Sequence, residues 1–211
     1  MRLTKLSHSC VRLRDGDTTI VIDPGTFSEP DALDGAHAVL VTHQHFDHFD
    51  ADRLIAAAQA DPELEIWTNP AVAALLHGLG ERVHPVTHGD QFTVGGLDVG
   101  VYGEQHAPTH LPPIPNIGFL VGGEVFHPGD AFTVPEEPVP TLLLPTNGPW
   151  LKSVEIVDYA ARVAPQRAYS IHDGLLNDIG LTIVDNILAT VRGTGDRDYR
   201  RVPVGGTVDL P

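Results

Sequence analysis

Thr42-His43-Gln44-His45-Phe46-Asp47-His48 is the stretch on which the reading of this chain turns. It follows without a break on Ala38-Val39-Leu40-Val41, a short apolar run of the kind that forms a buried strand. A polar cluster in that position sits on a loop at a strand end. In an extended loop, residues two apart point to one side, so His43 and His45 can converge on one ion while Asp47 and His48 reach toward a neighbouring site. Imidazole and carboxylate suit zinc, manganese or iron, whereas calcium and magnesium prefer all-oxygen cages. The plain alternative is a solvated, His-rich turn arising by chance in a chain with 12 histidines. Its place after a buried strand argues against that.

Upstream, Leu3 to Leu6 and Val11 to Leu13 flank turn signals, and Thr18 to Ile22 reads as a second buried strand ending at Asp23-Pro24-Gly25. Downstream, Asp50 is a candidate N-cap for a helix carrying Leu54, Ile55 and Ala58. A strand at Leu64 to Thr68 and a second helix from Ala71 to Leu79, before Gly80, continue a β-α-β-α pattern. From about Val83 to Phe126 the chain turns to short strands with Gly-rich turns. The last third alternates again: a strand at Thr141 to Leu144, a helix near Val154 to Val163, a strand from Arg167 to Ile171, a helix near Leu181 to Val191 and a short β tail. Two β-rich halves with outer helices give the expected fold class, α/β (α+β), as a four-layer αββα sandwich. No Pro/Ser-rich linker interrupts it, and one domain over 1–211 is the default at this length.

Composition narrows the chemistry. Hydrophobic residues make up 42% and charged residues 19%, as in ordinary globular chains. With 13 Lys and Arg against 28 Asp and Glu, the formal charge is −15, which repels phosphate backbones and makes nucleic acid a poor expectation for a partner. A small-molecule substrate is expected instead, anionic ones included, because two bound divalent cations would dominate the field inside a cleft. Cys10 is the only cysteine, so no intramolecular disulfide forms and thiolate-rich zinc sites are excluded; it reads as a small core residue. No run of about 18 apolar residues occurs, so neither membrane insertion nor a leader is expected, and the location expected is cytoplasmic.

A dinuclear site needs further ligands, and three polar residues lie just past strand candidates: His106 after Leu97 to Tyr102, Asp130 after Val125-Phe126-His127-Pro128-Gly129, and His172 after Arg167 to Ile171. In this order the pattern resembles the metallo-β-lactamase superfamily, whose members carry an HxHxDH loop, then a His, a bridging Asp and a last His. Carried over residue by residue, the resemblance implies that His43, His45 and His106 hold one metal, that Asp47, His48 and His172 hold another, and that Asp130 bridges them. Leu6-Ser7-His8, Val21-Ile22-Asp23-Pro24-Gly25 and Gly129-Asp130 are similar to the small stand-alone branch that includes ascorbate-6-phosphate lactonase-like proteins and metal-dependent hydrolases of unsettled substrate. Two divalent cations, zinc first and manganese or iron next, would share a water and lower its pKa toward about 7, giving a bridging hydroxide as nucleophile. The expected activity is therefore hydrolysis of an ester, lactone, amide or phosphodiester bond in a small molecule. A nuclease and a non-catalytic metal-binding regulator are the alternatives. A redox diiron protein is disfavoured, since redox members typically replace the second His of the loop with a carboxylate and His45 is present.

Supporting roles are read alongside. Asp47 and Asp130 are expected to act in catalysis as well as ligation, and His110, in the proline-stiffened loop after His106, to touch substrate or give a proton to the leaving group. Asp23 is a candidate to hydrogen-bond a ligand imidazole, or simply to start its Asp-Pro-Gly turn, and Thr42 to brace the loop. His8 and His127 lie near strand ends with no assigned role. Asn147 and Trp150 are candidate pocket residues after a buried strand; the alternative is a turn followed by a core aromatic, the reading slightly favoured for Trp150. His37, His77, His84 and His88 read as surface residues.

Overall fold

In the computed structural model, which describes residues 1–193 and 195–211, the run Ala38–Val41 is a strand whose alternation sets the layering. Ala38 and Leu40 face one apolar cluster, while Val39 and Val41 face another that holds Leu54, Ala58 and Val72. The chain begins β1 (Arg2–Lys5), β2 (Val11–Asp15), β3 (Thr18–Ile22), β4 (Ala38–Val41), α1 (Ala51–Ala60), β5 (Glu65–Thr68), α2 (Pro70–Leu75) and β6 (Val83–Pro85). It continues β7 (Gln91–Val94), β8 (Leu97–Tyr102), β9 (Gly118–Val121), β10 (Val125–His127), β11 (Thr141–Pro145), α3 (Ser153–Val163), β12 (Arg167–Ile171), α4 (Asp178–Arg192), β13 (Asp198–Arg200) and β14 (Thr207–Asp209).

Two seven-stranded sheets result, ordered β14-β1-β2-β3-β4-β5-β6 and β13-β12-β11-β10-β9-β8-β7. Each sheet is half antiparallel and half parallel: β3 to β6 run parallel in one, β10 to β13 in the other. The helices α1 and α2 link the parallel strands of the first sheet, α3 and α4 those of the second, as crossovers require. Between the sheets lie Leu13, Ile20, Ile22 and Leu40 from one side and Phe119, Val121, Leu143, Tyr169 and Ile171 from the other. Outside the second sheet, Leu142 and Leu144 meet Ile156 and Tyr159 of α3 and Val184 and Leu188 of α4. This is the αββα order of layers that the sequence pattern implied.

Local signals explain most boundaries. The Asp50 carboxylate accepts the Arg53 N–H at 3.1 Å and caps α1, and Asn69 caps α2 through the N–H groups of Ala71 and Val72. Two helix limits differ from the sequence expectation. The helix expected from Ala71 to Leu79 starts one residue earlier and ends at Leu75; the chain passes into a 3₁₀ turn, His77–Arg82, in which Gly80 takes φ 64°, ψ −135°. Glycines 78 and 80 cost too much to continue an α-helix. The helix expected from Leu181 begins at Asp178, because Asn177 accepts the Gly180 N–H at 3.0 Å and caps it there. Among the described residues, no helix is long and apolar enough to cross a membrane.

Candidate metal centre

The loops that follow the carboxyl ends of β3, β4, β10 and β12 converge, as open α/β sheets dictate for ligand sites. They deliver Asp23, His43 to His48, Asp130 and His172, and the loop after β8 adds His106. Two groups form. The ligand atoms of His43, His45, His106 and Asp130 lie within 4.8 Å of one another, and so do those of His8, Asp47, His48 and His172. Asp130 stands between the groups: its Oδ1 is 3.1 Å from His48 Nε2, and its Oδ2 is 3.3 Å from His106 Nε2 and 3.0 Å from His172 Nε2.

Hydrogen bonds on the far side of each ring decide which nitrogen faces the centre. Asp23 Oδ2 sits 2.6 Å from His48 Nδ1, so that nitrogen donates and Nε2 presents its lone pair inward. The same carboxylate accepts the Thr42 hydroxyl at 2.7 Å and the Thr42 N–H at 2.8 Å. With its proton spent on Asp23, the Thr42 oxygen accepts from His43 Nδ1 at 3.0 Å, turning His43 Nε2 inward. His106 Nδ1 donates to the Ala107 carbonyl at 2.6 Å with the same result. Three rings are thereby locked with an acceptor nitrogen aimed into one space.

That space suits cations on an independent ground. His48 Nε2, His106 Nε2, His172 Nε2 and Asp130 Oδ1 are buried without a well-directed hydrogen bond, although each lies 3.0 to 3.3 Å from a carboxylate or imidazole atom of the same cluster. Buried polar atoms left unpaired are costly and rare, and four converging on one point are a candidate ligand set. Five imidazoles and two carboxylates with no thiolate suit zinc, manganese or iron. Without cations, protons take their place. Burial alone would keep His48 neutral, but Asp130 and Asp23 hold it well above the usual histidine range, and Asp130 likewise pushes His172 up to about 9 against its burial. Burial drives His43 well below that range. The carboxyls of Asp47 and Asp130 stay well below the usual range despite burial, through hydrogen bonds from His172 and His8 to Asp47 and the charges of His48 and His172 beside Asp130.

The backbone makes room for the cluster at two glycines. A Cβ on Gly25 would lie 2.2 Å from the Asp47 carbonyl, so only glycine lets the Asp23-Pro24-Gly25 turn pass under the ligand loop. Gly129 takes φ 62°, and a Cβ there would strike Asn116 and Thr42. Three non-glycine residues also hold left-handed φ: Ala164 at 50°, which ends α3, and Asp23 at 52° and His172 at 61°, which lie in the centre. Backbone held this way costs on the order of 1–3 kcal/mol per residue and gathers at functional sites.

Every ligand candidate from the sequence is brought into the centre, and the supporting ones divide. Asp23 and Thr42 brace ligand imidazoles as expected. His127 instead braces a turn, accepting the Gly129 N–H at 3.1 Å and donating to the Ser9 carbonyl at 2.9 Å. Trp150, read as a core aromatic, is half-buried and faces the centre, its indole N–H donating to Asp130 Oδ2 at 2.9 Å; a turn residue's direction has no sequence period to betray it. His110 is exposed on its loop and is not among the converging side chains, and Asn147 is half-buried after β11. Of the four surface histidines, His84 is half-buried, stacked on Trp67 and paired with Glu65. Asn116 carries no local sequence signal; it is fully buried and fixes the Asp130 turn by accepting the Asp130 N–H and donating to the Pro128 carbonyl, both at 2.9 Å. Phe27 and Phe46 form an exposed edge-to-face pair at 5.5 Å, with Phe27 against His8, and Trp150 makes edge contacts with both His106 and His172.

Known proteins are similar to this chain. Protein Rv0786c of Mycobacterium tuberculosis is 41% identical over 184 residues, covering 83% of this chain and 85% of its own. A UPF0173 metal-dependent hydrolase of Rubrobacter xylanophilus is 30% identical over 148 residues, 61% of this chain and 60% of its own. The metallo-β-lactamase fold protein YhfI of Bacillus subtilis superposes with a TM-score of 0.76 at 15% identity over 98% of both chains, a likeness of fold. The sequence profile described as the β-lactamase superfamily domain matches residues 2–172, from the first strand to the last ligand histidine, and the chain belongs to that superfamily.

Proposed function

We propose that this metal-dependent hydrolase works with two divalent cations, zinc first and manganese or iron next, and cleaves an ester, lactone, amide or phosphodiester bond of a small molecule. The observation that carries the reading is the convergence of buried, unpartnered Nε2 and carboxylate atoms from both sheets on one space. His43, His45 and His106 would hold one cation, Asp47, His48 and His172 the other, with Asp130 between them. When bound, such a pair supplies an acidified water as nucleophile and polarises the oxygen of the scissile group.

The chain's own residues do the rest. Asp23 and Thr42 fix the tautomers of His48 and His43, so no ring has to turn before ligation. Asp47 would orient the attacking water, and Trp150 holds Asp130 Oδ2 by its N–H. Phe27, Phe46 and Trp150 offer flat apolar walls on either side, which suit a substrate with an apolar flank next to the bond cut. His110, exposed on the loop from His106, is the proposed proton donor to the leaving group. The formal charge of −15 supports a small substrate, anionic ones included, over nucleic acid. A single buried thiol supports a reducing, cytoplasmic setting.

The test is purification without chelator, elemental analysis, and assay of matched metal-loaded and metal-stripped samples against lactones, phosphodiesters and acyl esters. Two ions per chain with turnover that disappears on stripping, and in Asp130→Ala and His45→Ala, is the expected result. Full activity in the stripped protein would overturn the reading.

A further inference from the structure

His8 belongs to no ligand set carried over from the family pattern, yet it is tied at three points to the second group and the turn that follows His172. Its carbonyl accepts the His172 N–H at 2.8 Å. Its Nδ1 accepts the Gly174 N–H at 3.0 Å. Its Nε2 lies 3.2 Å from Asp47 Oδ2. The side chain is 2% exposed, its ring packed at 4.1 Å between centroids against His172. The Gly174 contact assigns the tautomer: a nitrogen that accepts a backbone N–H carries no proton, so in neutral His8 the proton is on Nε2 and is given to Asp47. With that proton in place Nε2 has no lone pair for a metal, although its position among Asp47, His48 and His172 would otherwise suit a ligand.

We infer that His8 is a positioning residue that assembles the second cation group, donating to Asp47 through its ring and holding His172 through its backbone. This rests on the two-cation reading. Asp47 comes from the loop after β4 in the first sheet and His172 from the end of β12 in the second; His8, in the turn between β1 and β2, touches both. Among the described residues, the hydrogen bonds and ring contacts of the His8 side chain go to Asp47, Gly174, Phe27, His48 and His172, and to none of the first group, His43, His45, His106 and Asp130. Loss of the ring's donor should therefore weaken one cation and spare the other.

The experiment uses the full chain, stripped and then equilibrated with buffered zinc, and reads zinc per chain by elemental analysis across the series. Two conservative variants separate the roles of the ring. In His8→Asn the amide oxygen replaces Nδ1 and keeps the Gly174 contact, but no donor reaches Asp47. In His8→Gln the amide nitrogen falls near the position of Nε2 and keeps the donor, but gives up the Gly174 contact. The expected result is two zinc ions in the wild type and in His8→Gln, and a second ion bound roughly 10–100-fold more weakly in His8→Asn, as for loss of a hydrogen bond to a ligand. Circular dichroism of the stripped proteins checks that each variant is folded, and His8→Gln carries the test if His8→Asn is not: its loss of the second ion would show that the donor is not what matters. Wild-type affinity in His8→Asn would reduce His8 to scaffolding and overturn the inference. Loss of the second ion in both variants, with a changed cobalt absorption spectrum, would make His8 a ligand and overturn it too. A wild type that never takes a second ion would refute the two-cation reading itself, and the inference with it.

Discussion

Asp23→Asn replaces one atom in the centre and should cost it a cation. The backbone does not object, since Asn tolerates the left-handed φ of 52° at least as well as Asp. The hydrogen bonds do. Asp23 Oδ1 accepts the Thr42 N–H at 2.8 Å, and Oδ2 accepts both the Thr42 hydroxyl at 2.7 Å and His48 Nδ1 at 2.6 Å. An amide turned one way sets its NH₂ against the Thr42 N–H. Turned the other way, it faces His48 Nδ1, which must then give up its proton to become an acceptor. That moves the proton to His48 Nε2, the atom a metal needs. With Asp23 fully buried no water relieves either arrangement. The first leaves an unpaired donor, about 1–3 kcal/mol of stability; the second costs roughly 10–100-fold in metal affinity, about 1.4–2.7 kcal/mol. Calorimetric zinc titration of stripped wild type and variant, with urea unfolding of both, reads the two effects separately. Wild-type zinc affinity together with wild-type stability in Asp23→Asn would refute the tautomer argument.

Other expectations follow from buried charge. Lys5 is 2% exposed, bonded to the Ser170 carbonyl at 2.9 Å and paired with Asp173; Lys5→Met strands that carboxylate and should lower unfolding free energy by about 3–5 kcal/mol, and a loss under about 1 kcal/mol would contradict it. In the stripped protein His48 is held above its usual range and His172 at about 9, so both carry protons at neutral pH and must release them to ligate. Zinc affinity should then rise from about pH 6 to 8, with a binding enthalpy that changes with the buffer's ionisation enthalpy; equal enthalpies in phosphate and Tris would be the contrary result. Burial pushes the Cys10 thiol up to about 12 from 9.0. A raised pKa of this sign leaves stability intact below pH 9 and removes it between 9 and 12, in all roughly 4 kcal/mol at about 1.36 per unit. Cys10→Ser should flatten that alkaline loss, and parallel pH profiles for wild type and variant would speak against it.

What the sequence made legible was whatever rests on local pattern. Alternation in Ala38–Val41 and Thr18–Ile22 named the buried strands, Asp50 named the start of α1, and the spacing of His43, His45, Asp47 and His48 named the ligand loop. What it hid depends on contacts between residues far apart in the chain. His8 meets Asp47 across 39 positions and Gly174 across 166, and Trp150 reaches Asp130 across 20. A turn carries no period from which a side chain's direction can be read, so Trp150 passed for a core residue. The limits of α2 and α4 were misjudged where one weak signal competed with another: glycines against an apolar stripe, Asn177 against the first leucine.

The division of ligands between the sheets has a consequence for how the fold and the chemistry depend on each other. In the first group His43 and His45 come from the first sheet, and His106 and Asp130 from the second; in the second group Asp47 and His48 face His172 in the same way. Each cation would therefore be a cross-link between halves that also meet across the apolar layer of Leu13, Ile22, Phe119 and Ile171. A packed apolar layer tolerates small sliding of one sheet on the other, but a ligand set does not, since a displacement of about 1 Å is enough to spoil a catalytic geometry. Links that cross the layer beside the centre answer that need: the His172 N–H on the His8 carbonyl, Lys5 on the Ser170 carbonyl, and the Ile117 N–H on the Thr42 carbonyl. They fix the relative height of the two sheets at the end where the ligands are. Strain at Asp23 and His172 is held at that same end, one residue from each sheet.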